Sequence, residues 1–156
     1  MLKKYLIVFF VSMVPIIELR GAIPYAVGVG LPLLPSYIIA IIGNMIPVPF
    51  IFLFARKVLV WGSTKKYIGK FFTWCLKKGE KGGEKLKQSA GKGLYIALLI
   101  FVGIPLPGTG AWTGTLAASL LNMDFKKSTL AVMGGVILAG IIMGILSLGV
   151  FKGLLG

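Results

Sequence analysis

The sequence has no histidine and a single cysteine, Cys75. That excludes a histidine-based catalytic triad, a zinc site of the Cys/His kind and an internal disulfide. Acidic residues number four, against seventeen Lys and Arg. Carboxylate chemistry is therefore confined to a few positions, of which Glu18 and Asp124 are the candidates for acid–base work. No cofactor and no metal is expected, and the chain is not expected to be an enzyme.

Charge of either sign is also missing over long runs. Tyr5–Ile17, Gly21–Ala55, Gly93–Met123 and Thr129–Phe151 carry none. Hydrophobic residues make up 57% of the chain and the mean hydropathy is +0.95, a composition that points to membrane spans. The net charge of +13 is unevenly placed, with eleven of the seventeen basic residues between Arg56 and Lys92. That stretch is the expected cytoplasmic loop. A basic protein can bind nucleic acid, but these lysines flank membrane segments, so lipid headgroups are the expected partner and nucleic acid is not. Lys3 and Lys4 followed by an apolar stretch resemble a signal peptide. Glu18 and Arg20 stand where its cleavage site should be, so the segment is expected to be retained.

The lengths of the uncharged runs are informative. A spanning helix needs about 20 apolar residues. Tyr5–Ile17 is too short to span. Gly21–Ala55 is too long for one span and holds Pro24, Pro32 and Pro35, so it divides into a returning arm, roughly 22 to 34, and a span, roughly 36 to 59. That span carries Asn44 and the "IPVP" of Ile46–Pro49, where two prolines predict a kink. Across Trp61–Lys78, residues Trp61, Thr64, Ile68, Phe71, Phe72 and Cys75 share one helical face, with Lys66, Lys70, Thr73 and Lys77 opposite. This predicts a basic amphipathic helix that lies on a membrane surface or packs on the protein's own membrane part. "KGEKGGEK", Lys78–Lys85, predicts a polar turn. Gly93–Met123 is interrupted by "GIPLPGTGAW", Gly103–Trp112, too rich in proline and glycine to continue a helix. "NMDFKKS", Asn122–Ser128, marks an interface, with Asp124 as a helix cap. Thr129–Phe151 reads as a clean span whose Gly135, Ala139, Gly140 and Gly144 suit close helix contact, and a homodimer through that face is expected.

The same unit thus occurs twice: a broken hydrophobic hairpin, then one span. "GAIP", Gly21–Pro24, and "VGIP", Val102–Pro105, mark corresponding breaks, with Pro107, Gly108 and Gly110 completing the second. With the basic loop in the cytoplasm, the two spans run in opposite directions and the hairpins enter from opposite faces. The expected fold is an all-α integral membrane protein, multi-pass in the cell membrane, with two re-entrant helical hairpins in an inverted-topology repeat. It forms one membrane domain, 1–156, divided as 1–60, 61–92 and 93–156, with 61–92 cytoplasmic.

Glu18 and Arg20 lie at the tip of the first hairpin, where a charge at membrane depth costs roughly 3 kcal/mol or more. Arg20 suits a phosphate through its planar fork, and Glu18 suits proton handling out of water. The alternative is a structural ion pair that fixes the hairpin. The second tip offers Thr109, Thr113, Thr115, Trp112 and the amides around Gly108 and Gly110 as a neutral half-site, or else a tightly packed turn. Asn44 either reaches the cavity or bonds a neighbouring helix.

"ELRGAIP", followed by "PVP" and then "FVGIPLPGTGAWTG", resembles the small multidrug export protein family over nearly the whole chain. That family looks related to the DedA superfamily, whose pattern of a Phe, a Pro-Gly turn and a small-residue arm is similar to Phe101–Phe125. The resemblance implies facing re-entrant hairpins and transport of a lipid phosphate such as undecaprenyl phosphate. Glu18 matches the acidic residue of that pattern by place. Val102 and Thr109 stand where arginines are expected, which shifts the phosphate role to Arg20. The expected function is a transporter of an amphiphilic, anionic lipid-like substrate, with Glu18 as the group that would couple it to protons. The rivals are a proton-coupled exporter of cationic compounds and a structural or chaperone-like membrane protein.

Overall fold

The computed structural model describes residues 1–90, 93–121 and 123–156, and these are helical with no strand among them. Helix α1 (Leu2–Met13) stops where Pro15 forces Val14 into extended backbone, φ −72°, ψ 128°. Helix α2 (Glu18–Gly28) then runs back along it. Lys4 Nζ donates to the carbonyl of Val29 at 2.9 Å, so the start of α1 lies beside the end of α2. The first break is therefore Val14–Ile17. The expected break at Gly21–Pro24 is wrong, because both residues lie inside α2. A proline inside a helix costs about 3 kcal/mol. Leu19, Ala22, Ile23 and Ala26 form a fully buried face on the same helix. Burying a Leu or Ile alone contributes about 1.5–3 kcal/mol, so packing outweighs the proline.

The chain continues through α3 (Leu33–Met45), α4 (Pro47–Phe50), a π-helical turn (Ile51–Ala55) and α5 (Arg56–Ser63). Pro47 and Pro49 have no N–H for the carbonyls four residues back, and where a kink is expected the helix continues through a π-helical turn, its ladder one residue wider. After a turn at 64–68 comes α6 (Gly69–Ala90). Two expectations fail here. The amphipathic stretch 61–78 is split between two helices, and Lys78–Lys85 is helix, not turn. Lys77–Glu80 and Lys81–Glu84 stand three residues apart, a spacing that supports helix in spite of the glycines. Helix α6 packs against α7 (Leu94–Gly103) and α8 (Ala111–Leu120). The last helix, α9 (Phe125–Leu155), is capped by Asp124, whose Oδ2 accepts the Lys127 N–H at 3.0 Å. The expected interfacial stretch 122–128 begins at Asn122, which lies outside the described residues; from Met123 it leads into this cap.

Among the described residues two stretches, Leu33–Phe54 and Phe125–Leu154, are long and apolar enough to cross a membrane. At 1.5 Å per residue, α9 extends about 46 Å, whereas α1, α2, α7 and α8 each extend about 15–18 Å. Contacts fix how the short pairs sit on the long helices. A Cβ on Gly28, at the end of α2, would come 3.0 Å from the ring of Phe151 near the end of α9. Ser119, near the end of α8, donates to the Phe52 carbonyl at 2.7 Å, and the Phe52 ring meets that of Phe125 at the start of α9. The backbone N–H of Asp124 donates to the Tyr95 hydroxyl at 3.2 Å, so the second pair also returns to where it began. The open ends of the two pairs therefore lie at opposite ends of α9, and their breaks meet between.

The core joins both halves through Val8, Leu19, Ile23, Leu98, Val132 and Val136. Large apolar side chains such as Phe10, Ile42, Phe50, Ile96, Leu130 and Ile145 face outward on several helices. The glycine face of α9, expected to join two copies, is covered within the chain. Gly135 packs on the Leu99 carbonyl and Val102, Gly140 on the Tyr37 ring, and Gly144 faces Leu33. A Cβ at Gly135 would sit 2.6 Å from the Leu99 carbonyl, and backbone cannot swing away. Gly135→Ala should therefore lower stability by about 1–3 kcal/mol, whereas Gly149→Ala, with open space around it, should not. Thermal unfolding in detergent checks the difference.

Candidate functional site

A helix end leaves backbone groups without partners, and the break between α7 and α8 exposes two such ends. The carbonyls at the end of α7 and through the break carry partial negative charge, and the first N–H groups of α8 carry partial positive charge. The residue before α8 is Gly110, which has no side chain to cap it. The first break supplies what is missing.

Glu18 is the first residue of α2 and is buried, 4% exposed. Its Oε2 accepts the N–H of Ala111 at 3.2 Å and its Oε1 the N–H of Trp112 at 3.0 Å. The carboxylate thus acts as the N-cap of α8, from 93 residues away in sequence. Gly110 is needed for this. Its φ is +129°, and a Cβ there would lie 2.5 Å from Glu18 Oε2.

Arg20, in the first turn of α2 and half-buried, takes the opposite charge. Its Nη1 donates to the carbonyls of Leu106 at 2.8 Å and Thr109 at 3.0 Å. Its Nη2 donates to Val102 and Ile104, both at 3.2 Å, and to Thr109 Oγ1 at 2.8 Å. A tight turn gathers these acceptors, with Gly108 at φ +81° and the Thr109 hydroxyl within reach of the Ile104 and Leu106 carbonyls. The second tip answers with one bond: the Trp112 indole N–H donates to the Met13 carbonyl at the end of α1, at 3.2 Å.

Glu18 and Arg20 therefore act in parallel on the two ends of the opposite break. The expectation of a free arginine fork for phosphate meets a different geometry, since both terminal nitrogens already hold carbonyl oxygens. The site also holds strain. Ile16 and Glu18 have φ of +76° and +51°, rare for side-chain-bearing residues and costly, about 1–3 kcal/mol each.

Among the expected site residues, Glu18, Arg20, Thr109 and Trp112 come together, with Pro105, Pro107, Gly108 and Gly110 shaping the break. Gly21 and Pro24 lie along α2, away from the turn itself. Thr113 stands on the first turn of α8, and Asn44 is buried on α3 with its Oδ1 unpartnered. Neither bonds the groups just described. Sequence reasoning missed the carbonyls of Val102, Ile104 and Leu106 as the partners of Arg20. One signal was available: a helix start at Ala111 preceded by glycine, with no Ser, Thr, Asp or Asn cap, calls for an acceptor from elsewhere.

A family model described as "Putative small multi-drug export protein" matches residues 18–142, from Glu18 through both breaks into α9. The chain belongs to that family. Its family and its two apolar helices make it a membrane protein of an export family. No curated protein and no solved structure matches the chain.

Because Glu18 and Arg20 cap opposite helix ends, exchanging them should not restore a lost pair. The variant Glu18→Arg/Arg20→Glu should be less stable than either single change, since it sets charge against dipole at both ends. Arg20→Ala should cost about 3 kcal/mol or more, and Arg20→Lys less, as one ammonium satisfies fewer carbonyls. Unfolding midpoints in detergent for the double variant, its two single changes, Arg20→Ala and Arg20→Lys check the order.

Proposed function

We propose that this chain is a proton-coupled membrane exporter of small amphiphilic cations, with the bond network between the two breaks as its moving part. The observation that carries the reading is the buried carboxylate of Glu18 capping the N-terminus of α8. In its ionised form each oxygen accepts one N–H. A proton on either oxygen turns an acceptor into a donor that faces a donor, and removes the charge that the helix end attracts. The α8 end is then released. The left-handed backbone at Ile16 and Glu18 favours that release, because strain held by the closed network relaxes when it opens.

The membrane placement that supports this is two re-entrant hairpins in an inverted repeat. Each short helix has about half the length needed to cross, and the open ends of the pairs lie at opposite ends of α9. Breaks that meet at mid-depth can be uncovered from one side or the other, which is what alternating access requires. The basic segment 61–92 is cytoplasmic by the positive-inside tendency, and the chain is multi-pass in the cell membrane.

The occupied guanidinium favours a cation over a lipid phosphate. To hold a phosphate, Arg20 would have to abandon the carbonyls that it caps. A cation needs only Glu18, whose oxygens each keep a lone pair beyond the N–H they accept, and it competes there with a proton; the family description, which speaks of drug export, names no lipid phosphate. The buried, unpartnered Asn44 Oδ1 and Thr115 Oγ1, on α3 and α8, are further polar groups that a substrate path could use.

Purified protein in proteoliposomes tests the reading with tetraphenylphosphonium as the cation. Binding should weaken as pH falls, approaching tenfold per unit below the carboxyl's midpoint, because one proton is displaced per cation. Glu18→Gln should abolish proton-driven uptake while binding loses its pH dependence. Uptake that survives in Glu18→Gln, or transport of a polyprenyl phosphate but not of the cation, would sink the proposal. Topology is checked separately by maleimide labelling of Tyr67→Cys and Gly156→Cys. A Cys75→Ser background removes the native thiol, which is only partly buried. Labels on opposite sides are expected, and labels on one side would remove the inverted arrangement.

A further inference from the structure

The turn that joins α5 to α6 borders an open groove of about 510 Å³, lined by Lys65, Lys66, Lys70 and Lys77 with Thr73 and Trp74. Four lysines contribute to it and no acidic residue is among its described lining, while the Lys65 ammonium lies 4.6 Å over the Trp61 ring. Like charges held together in this way repel, and an anion relieves the repulsion. The turn itself is tightly built: the Gly69 N–H donates to the Lys65 carbonyl, and a Cβ on Gly69 would press on the Ser63 carbonyl at 2.9 Å. The lysines are thus gathered by backbone geometry.

The surroundings of the groove identify the anion. Tyr67, Ile68, Phe71 and Trp74 are all exposed in the same turn and the start of α6, Tyr67 at 91%. Phe71 and Trp74 stack at 6.1 Å with an interplanar angle of 26°, presenting a flat apolar face. Lys78 lies 5.5 Å over the Trp74 ring. Exposed Val58, Val60 and Trp61 on α5 continue the apolar surface from the groove towards the long apolar stretch Leu33–Phe54. Cations beside exposed aromatics, at the end of a helix long enough to span, are the arrangement found at headgroup level.

We propose that this groove is a headgroup site for an anionic phospholipid, with the phosphate among Lys65, Lys66, Lys70 and Lys77 and the acyl chains along the exposed face of α5. A free phosphate shares the charge but not the apolar contact, and a nucleic acid would leave the α5 face uncovered. The site anchors the α5–α6 turn to one leaflet. Helix α6 packs on both α7 and α8, so the anchor also bears on the second hairpin. The inference stands whether or not the transport reading does.

Native mass spectrometry of the full chain in neutral detergent provides the test, with phosphatidylglycerol and phosphatidylcholine as probes. Phosphatidylglycerol should bind at least about tenfold more tightly, since each lysine near the surface multiplies affinity for anionic lipid several-fold. In the variant K65Q/K66Q/K70Q/K77Q the two lipids should bind alike, with an unchanged unfolding midpoint. The paired variants K65Q/K66Q and K70Q/K77Q give the same reading at half the charge change if the fourfold variant does not fold. Inorganic phosphate in large excess should leave phosphatidylglycerol bound. Equal affinities in the unaltered protein, a preference that survives the lysine changes, or displacement by inorganic phosphate would each overturn the site.

Discussion

The structure depends on one electrostatic requirement: the two helix ends created by the break at 104–110 must be neutralised, and residues of the other hairpin do it. A carboxylate meets the N–H end of α8 and a guanidinium meets the carbonyl end of α7 and the turn beyond it. In water such ends are solvated at little cost. Away from water, each unpaired group costs several kcal/mol. Wherever this break is shielded from water, the α7–α8 pair therefore depends on the α1–α2 pair for its stability. This explains why two expensive charges stand two residues apart in apolar sequence. On α2 they are close enough to reach both ends of a single break.

The same network explains the shapes around it. Gly110 leaves room for the carboxylate, and Gly108 lets the turn gather its carbonyls. The strained backbone at Ile16 and Glu18 aims the side chain across the gap, and the Trp112 indole ties the two tips in the other direction. Both breaks are then held from both sides. A network of this kind is stiff while it is complete and fails as a unit when one member changes charge, which is the behaviour a gate requires.

Much of this was legible in the sequence. The paired pattern of short and long apolar runs marks the helices, because length against membrane thickness is a strong constraint. The break at 104–110 is written in Pro105, Pro107, Gly108 and Gly110. Asp124 as a cap follows from its place before a helix. Other features were not legible. Pro24 looked like a break, but whether a proline ends a helix depends on what the rest of that helix buries, and here Leu19 and Ile23 decide. Gly135 and Gly140 marked a contact face correctly in kind, yet nothing local tells a contact within the chain from one between chains. Glu18 and Arg20 were recognisable as costly, while their partners are mostly backbone groups more than 80 residues away, which leave no trace in the sequence beyond the uncapped helix start at Ala111.

The central claim is that one ionisable carboxyl holds the N-terminus of α8. Solid-state NMR in lipid bilayers measures it directly, through the carboxyl carbon of Glu18 and the amide nitrogens of Ala111 and Trp112 followed against pH. The account predicts that all three signals shift together at one midpoint, and that the amide titration vanishes in Glu18→Gln. A carboxyl that titrates while the two amides stay fixed would contradict it.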